Sequence, residues 1–326
     1  MRAVTQARPP APPRRSSVPI VDVAAAVVLR PDGAFLLARR PAGKVYAGYW
    51  EFPGGKVEAD EPPERALARE LREEIGIEVE LAYPWITRVF TYPHATVRLH
   101  FYRVMRWSGE PHPREDQVLA WQGLAGATVE PMLPANAPVL AALALPPVYA
   151  ITDATRMGAS AMLQALERRL RGGLRLLQVR EPGLSAAQRA DFTRQALSLA
   201  HRSGCRVLTK EPFPGADGVH FTAAQTLTLP SRPATGLAAA SCHTRDELQR
   251  AMDLGMDFAV VGPVRKTRSH ADRVALGWEE FTRIAGGATL PVYAIGGLTA
   301  EDMADAWRAG AHGIAMISGA WQEGRA

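Results

Sequence analysis

The sequence predicts two domains of different class: an α+β domain with its sheet between helices, an α/β/α sandwich, followed by a compact α/β domain, a parallel (β/α)8 barrel. Three observations predict this. Strand-like apolar runs at 21–29, 35–38 and 96–104 surround one helical stretch at 61–75. A Pro146-Pro147 break then interrupts the chain. Beyond it, β-like and α-like stretches alternate to the end, as parallel strands joined by helical crossovers require.

The elements follow in order. Residues 1–17 hold Arg2, Arg8, Arg14 and Arg15 with several prolines and no acidic residue, so they read as a disordered tail. The first domain is expected over 18–145. Its helix at 61–75 stops at Gly76, and the segment 131–145 reads as a closing helix. The second domain is expected over 147–326. Its strands are placed at 148–152, 174–180, 206–210, 218–221, 236–242, 258–264, 291–295 and 313–318, with helices such as 185–203, 244–254 and 299–309 between them. The interval 211–217 is too short for a helix and reads as a loop.

A chain of 326 residues suits two domains of ~150 residues each. The net charge of +5 is carried largely by the tail, which argues against a nucleic-acid-binding face and a stable nucleic-acid partner. No apolar run approaches the ~20 residues of a membrane span, and the N-terminus lacks a signal-like apolar core, so a cytoplasmic protein without a membrane partner is expected. Cys205 and Cys242, far apart in sequence, read as reduced buried thiols. A homo-oligomer is compatible with the sequence.

The most informative stretch is 55–77, GKVEADEPPERALARELREEIGI. On a helix Glu70, Glu73 and Glu74 are spaced i, i+3, i+4 and share one face. Leu67, Leu71 and Ile75 form the neighbouring apolar stripe that would pack on the sheet. Like-charged neighbours repel unless a cation sits among them, and ligands that are all oxygen suit Mg2+ or Mn2+. A solvated acidic face neutralised by Arg69 and Arg72 is the competing reading. The preceding Pro53-Gly54-Gly55 turn favours the metal, because glycine lets backbone carbonyls approach it closely. Arg69 is then expected to orient the glutamates and Glu61 to support the loop.

Gly55, Glu61, Arg69, Glu70, Leu71, Glu73, Glu74, Gly76 and Ile77 match every fixed position of the Nudix box, G-x5-E-x7-R-E-U-x-E-E-x-G-U, and the chain thereby resembles the Nudix hydrolases. Over about 20–144 it resembles the MutT-type 8-oxo-dGTP diphosphatases in LLARRP (36–41), EFPGGK (51–56), WSGEP (107–111), REDQ (114–117) with Trp121, and PANAPVL (134–140). The resemblance implies that Arg40 and the segment Glu51, Phe52, Pro53 and Gly54 contact a nucleoside triphosphate. It implies too that Asn136 hydrogen-bonds the purine edge, where the alternative is a helix cap. Glu115 matches the family's further carboxylate, to complete the metal site or take a proton from water; otherwise it is a solvated loop residue. The implied reaction is metal-assisted attack of water on phosphorus, giving a monophosphate and pyrophosphate.

The second domain resembles the thiamine phosphate synthase and TenI group of TIM barrels, in VYAITD (148–153), QVRE (178–181), GVHF (218–221), SCHT (241–244), VVGPV (260–264), LGW (276–278), AIGG (294–297) and GIAMISG (313–319). Gly296, Gly297, Ser318 and Gly319 are implied phosphate binders, the alternative being tight turns alone. Gln178 and Arg180 match substrate-binding positions, and a phosphorylated thiazole is the implied ligand. The departures are Thr209-Lys210-Glu211 in place of an Asn-Asp pair, Thr222-Ala223-Ala224-Gln225 where an Asp is usual, and Pro182 in place of a lysine. They argue against synthase activity. His243 falls where a TenI-like thiazole tautomerase has its acid–base histidine, and a satisfied structural histidine is the alternative; His270 follows strand six. Three readings stand: a nucleotide-pool diphosphatase with an altered barrel, a Nudix pyrophosphatase for a thiamine-related pyrophosphate, and a hydrolase carrying a barrel that senses a phosphorylated metabolite.

Overall fold

The structure, a computed structural model, describes residues 20–123, 127–267 and 274–322. The tail at 1–17 and His270 lie outside the described residues.

Two sheets form the first domain. One contains β1 (Ile20–Val28), β4 (Gly54–Lys56), β5 (Glu78–Thr91) and β6 (Thr96–Ser108) in the order β4-β1-β6-β5; the other places β2 (Phe35–Arg39) between β3 (Trp50–Glu51) and β7 (Val118–Gln122). β1 pairs parallel with β6 from Ile20–Thr96 to Val28–Val104, and its small side chains divide between two cores. Ala24, Ala26 and Val28 meet Ala66, Leu67, Leu71 and Ile75 of helix α1 (Pro63–Ile75). Ala25 and Val27 meet Phe52, Phe101, and Val139 and Ala142 of α2 (Ala137–Leu143). This period-two division makes an α/β/α sandwich. α1 ends where Gly76 adopts φ 70°, a left-handed conformation that glycine reaches without Cβ strain. The closing helix is shorter than its pattern predicts. Leu133 is extended before Pro134, a single 3-10 turn follows at Pro134–Asn136, and the α-helix proper starts at Ala137.

The second domain is a closed parallel barrel of β8 (Val148–Ile151), β9 (Leu176–Val179), β10 (Arg206–Thr209), β11 (Gly218–Phe221), β12 (Leu237–Cys242), β13 (Phe258–Val261), β14 (Val292–Ile295) and β15 (Gly313–Met316). Tyr149, Ile151, Leu176, Leu208, Phe258, Val260 and Tyr293 fill its interior. The outer layer includes α4 (Ala159–Arg171), α5 (Ala186–Arg202), α7 (Arg245–Asp253), α8 (Gly277–Ala285) and α9 (Met303–Arg308). No helix forms between β10 and β11. Cys205 and Cys242 are buried and unbridged, and burial pushes both thiols up to about 12. No described helix is long and apolar enough to cross a membrane.

The two domains meet at the N-terminal end of the barrel. The Arg103 guanidinium donates to the carbonyls of His312 (2.8 Å) and Ala311 (2.6 Å), with the Trp85 and Trp307 rings beside it. Trp85 Nε1 donates to His312 Nδ1 at 3.2 Å, so His312 carries its proton on Nε2 and donates it to the Leu145 carbonyl at 2.9 Å. Burial, reinforced by Arg103, pushes the His312 pKa down to about 3. Thr87 N and Arg88 add bonds to the carbonyls of Ala288 and Thr289. Thus the barrel abuts the β5 side of the first sheet, while β4 lies at the opposite edge.

Candidate active site

At that opposite edge the β4 turn faces helix α1. A Cβ at Gly55 would overlap the Glu70 carboxylate, and one at Gly54, which has φ 144°, would overlap the carbonyl of Ala24. Only glycine therefore lets the turn sit this close to the acidic ridge. Gly54 N–H donates to Glu74 Oε2 at 3.2 Å. Burial pushes Glu74 up to about 7, and the neighbouring Glu51 and Glu70 charges push the same way against that hydrogen bond.

Arg69 is the cation among these acids. It reaches Glu61 through Nε (3.1 Å) and a terminal nitrogen (2.9 Å), Glu70 at 2.8 Å, and the Lys56 carbonyl at 3.0 Å; Glu73 is more distant at 3.4 Å and 56% exposed. Glu61 also accepts from Glu58 N–H at 3.1 Å, closing the loop that precedes the helix. The bonds to Glu61 and Glu70 hold the guanidinium above the usual arginine range. Among the described residues no trio of His, Cys, Asp and Glu side chains is already gathered as a metal cluster. Charge explains the arrangement: Arg69 draws Glu70 and Glu73 toward itself, and Glu74 turns to Gly54. The glycine cradle against Glu70, the all-oxygen donors and the raised Glu74 nevertheless fit a hard divalent cation.

The remaining residues assigned to the site divide. Arg40 meets both carboxylate oxygens of Glu51 at 2.7 Å. Burial raises the Glu51 pKa, with Arg40 acting against it. The Phe52 side chain is withdrawn from any ligand; it is 4% exposed and packs on Phe35 and Phe101, because β3 turns it inward. Pro53 is buried too, and its carbonyl accepts from Ala26 N–H at 2.8 Å. Asn136 is buried but caps nothing: α2 has no side-chain cap bond. Its amide nitrogen has only long contacts, to the Trp50 carbonyl (3.4 Å) and Met132 sulfur (3.7 Å). Beside it stands an aromatic group that sequence reasoning missed, in which Tyr46 contacts Tyr49, Tyr92 and His94, and Tyr92 shares a hydrogen bond with the Ala135 backbone. The aromatic residues signalled it; their meeting depends on two loops far apart in sequence. Glu115 is half-exposed and paired with Lys44, also missed, at 2.9 Å.

The NUDIX domain family matches residues 19–143, and the family described as thiamine monophosphate synthase matches 148–320. The first domain is 41% identical over 123 residues to a CTP pyrophosphohydrolase of Escherichia coli, covering 38% of this chain and 90% of the relative. It is 36% identical over 123 residues to an 8-oxo-dGTP diphosphatase of the same organism, covering 38% and 95%. The second domain is 31% identical over 180 residues to a thiamine-phosphate synthase of Roseiflexus sp., covering 52% and 76%. The chain belongs to the Nudix hydrolases and, through its barrel, to the thiamine monophosphate synthase family.

In the synthase-family barrel, strand register sets Thr209 opposite Val179, so Arg180 and Lys210 follow at neighbouring positions of the C-terminal mouth. Gln178 is buried and Arg180 exposed. The departures have structural employment: Thr222 and Gln225 form the capping box of α6 (Ala223–Thr228), and Thr209 Oγ1 donates to the Glu211 carbonyl at 2.7 Å. Buried Glu181 accepts the N–H groups of Ala154 (2.7 Å) and Thr155 (2.9 Å) at the start of α3 (Ala154–Met157). His243 Nδ1 donates to the Gly262 carbonyl at 2.6 Å, which fixes the tautomer and leaves Nε2 as the acceptor. His220, bonded to Tyr149 and Ser241 at 2.9 Å each, is pushed down to about 3 by burial, reinforced by Arg180. Gly296 and Gly297 have φ 113° and 66°, and side chains there would crowd Pro263 and Arg265. A Cβ at Gly319 would overlap the Leu298 carbonyl, and Ser318 opens a 3-10 turn after β15. Tight turns alone therefore require these glycines, whether or not phosphate binds.

Proposed function

We propose that the first domain, 18–145, hydrolyses 8-oxo-dGTP to 8-oxo-dGMP and pyrophosphate with Mg2+ or Mn2+, clearing a damaged nucleotide from the cytoplasmic pool. Asn136 carries the choice of base. Its buried amide neither caps α2 nor makes a short bond to protein, so it is free to offer a donor and an acceptor to an oxidised purine edge. Tyr46, Tyr92 and His94 supply aromatic faces beside it.

Glu70, Glu73, Glu74 and Glu115, with the carbonyls of Gly54 and Gly55, would hold the cation, and Arg69 and Glu61 hold the ridge in place. The cation, when bound, neutralises charge on the diphosphate. The oxygen of water forms a bond to phosphorus, a bridging P–O bond breaks, and the water proton passes to a carboxylate of this set. Glu74, whose burial favours the protonated form, is suited to receive it. Arg40, braced by Glu51, faces the triphosphate. The test is phosphate and pyrophosphate release from 8-oxo-dGTP, dGTP, CTP and thiamine pyrophosphate. Preference for CTP, or for the thiamine ester, removes the oxidised purine as substrate.

The barrel, 147–326, is proposed to have lost synthase chemistry while keeping a phosphorylated-ligand site at Gln178, Arg180, Gly296, Gly297, Ser318 and Gly319. The fixed tautomer of His243 favours a second reading, proton transfer on a phosphorylated thiazole. Exchange of ring protons into deuterated water, lost in His243→Ala, would support that over ligand sensing alone.

A further inference from the structure

Lys44 belongs to none of the motifs that mark the site, yet the fold aims it there. The loop between β2 and β3 is braced along its length: Arg40 Nε donates to the Val45 carbonyl at 2.7 Å, Gly48 N–H to the Arg40 carbonyl at 2.9 Å, and the Tyr46 ring rests on Tyr92 and His94. Gly43 and Gly48 supply the left-handed turns, at φ 87° and 83°. The Lys44 ammonium meets Glu115 at 2.9 Å, with both side chains 46% exposed. On the far side Glu115 is anchored, its N–H donating to Gln117 Oε1 at 3.0 Å.

We propose that Lys44 is an exchange cation: it pairs with Glu115 in the metal-free site, yields Glu115 to the divalent cation, and then serves the substrate's phosphates. This rests on the hydrolase reading above. The one positive charge of the ammonium cannot neutralise both Glu115 and a triphosphate, whereas a divalent cation at Glu115 leaves the ammonium without its carboxylate and beside a polyanion. The pair is exposed enough to exchange at little cost, since such pairs hold by no more than a few-fold in equilibrium.

The proposal predicts effects of opposite sign from one substitution in the full chain. With Mn2+ alone, titrated by electron paramagnetic resonance, Lys44→Met is expected to bind about two- to fivefold more tightly, the size of an exposed ion pair, because a competitor has gone. Its KM for the nucleoside triphosphate is expected to rise by a similar or larger factor, and Lys44→Arg to restore both values toward wild type. In a Glu115→Gln background the effect on Mn2+ should vanish. A loop merely disrupted by the substitution would weaken both kinds of binding. That outcome, or no change in Mn2+ affinity, overturns the proposal. Glu70→Gln separates this failure from that of the parent reading: if it abolishes Mn2+ binding while Lys44→Met leaves it unchanged, the metal site stands and the exchange falls. Wild type that binds no Mn2+ overturns both.

Discussion

The two domains match their family patterns unequally: the first keeps every fixed position of its motif, and the barrel departs from its own at three places. In the first, the acidic ridge stands on regular structure. Glu70, Glu73 and Glu74 project from α1, whose other face is locked into the core by Leu67, Leu71 and Ile75, and Gly54 and Gly55 stand on a strand. The helix and strand hold these positions in place whatever the glutamates do chemically. In the barrel, the residues that depart from the synthase pattern stand at the C-terminal ends of β9, β10 and β11, where Thr209, the last residue of β10, bonds the Glu211 carbonyl and Thr222 with Gln225 caps α6. The mouth of a barrel accepts such exchange because its shape is set mainly by the strands and helices below it. The acidic ridge on helix and strand thus matches its family pattern throughout, while the strand-end positions of the barrel depart from theirs within an intact barrel.

The sharpest way to break the comparison is at the ridge. Glu70→Gln or Glu74→Gln is expected to lower hydrolysis by at least ~100-fold with the circular dichroism spectrum unchanged, each removing an anionic ligand. Near-normal turnover would take that residue out of the site. The barrel should give the opposite result. The wild-type chain is expected to form no detectable thiamine phosphate from a pyrimidine pyrophosphate and a thiazole phosphate, and synthesis at the rate of a working synthase would show that the loops still hold the ligands.

Smaller effects sharpen the contrast. Asn136→Ala should abolish a preference for 8-oxo-dGTP over dGTP of roughly ten- to a hundredfold, the value of one mismatched buried amide at ~1–3 kcal/mol. An unchanged ratio of kcat/KM would assign the preference elsewhere. The isolated domain 18–145 should remain active, because the barrel abuts the sheet edge opposite β4, but with a lower Tm, since Trp85 and Arg103 lose their cover. Complete inactivity in a folded truncation would bring the barrel into the site.

The smallest effect is a pH dependence at the interface. His312 is neutral in the fold with a pKa of about 3, below its unfolded value of ~6.5. The unfolded chain therefore binds more protons between these values. Stability from this group is full above ~6.5 and is lost progressively as the pH falls toward 3. His312→Gln should flatten that acid limb of Tm against pH; an identical limb in both proteins would place the titration elsewhere.

Periodicity made both architectures legible, because apolar spacing follows element geometry and each domain buries one face per element. The acidic ridge was legible for the same reason, as i, i+3 and i+4 on one helix need no tertiary knowledge. The short strands β3 and β4 were not, since two or three residues carry no period and they exist only by pairing with β2 and β1, and the sequence reading also left out β5 and β7. Phe52 was assigned to the substrate from its motif, and its side chain lies in the core against Phe35 and Phe101, a contact between segments that the motif does not show.

The sequence by itself determined the two domain classes, the order of the barrel's strands, the carboxylate ridge with its glycine turn, and the barrel's departures. All depend on residues close together in the chain. Tertiary structure alone decided that Lys44 meets Glu115, 71 positions away, that the Tyr46 and Tyr92 rings stand together beside Asn136, and that Arg103 reaches His312, 209 positions away, to join the domains. Each of these contacts forms where separately ordered segments converge, and what brings them together is burial of apolar surface around them, which leaves no local pattern in the residues that meet.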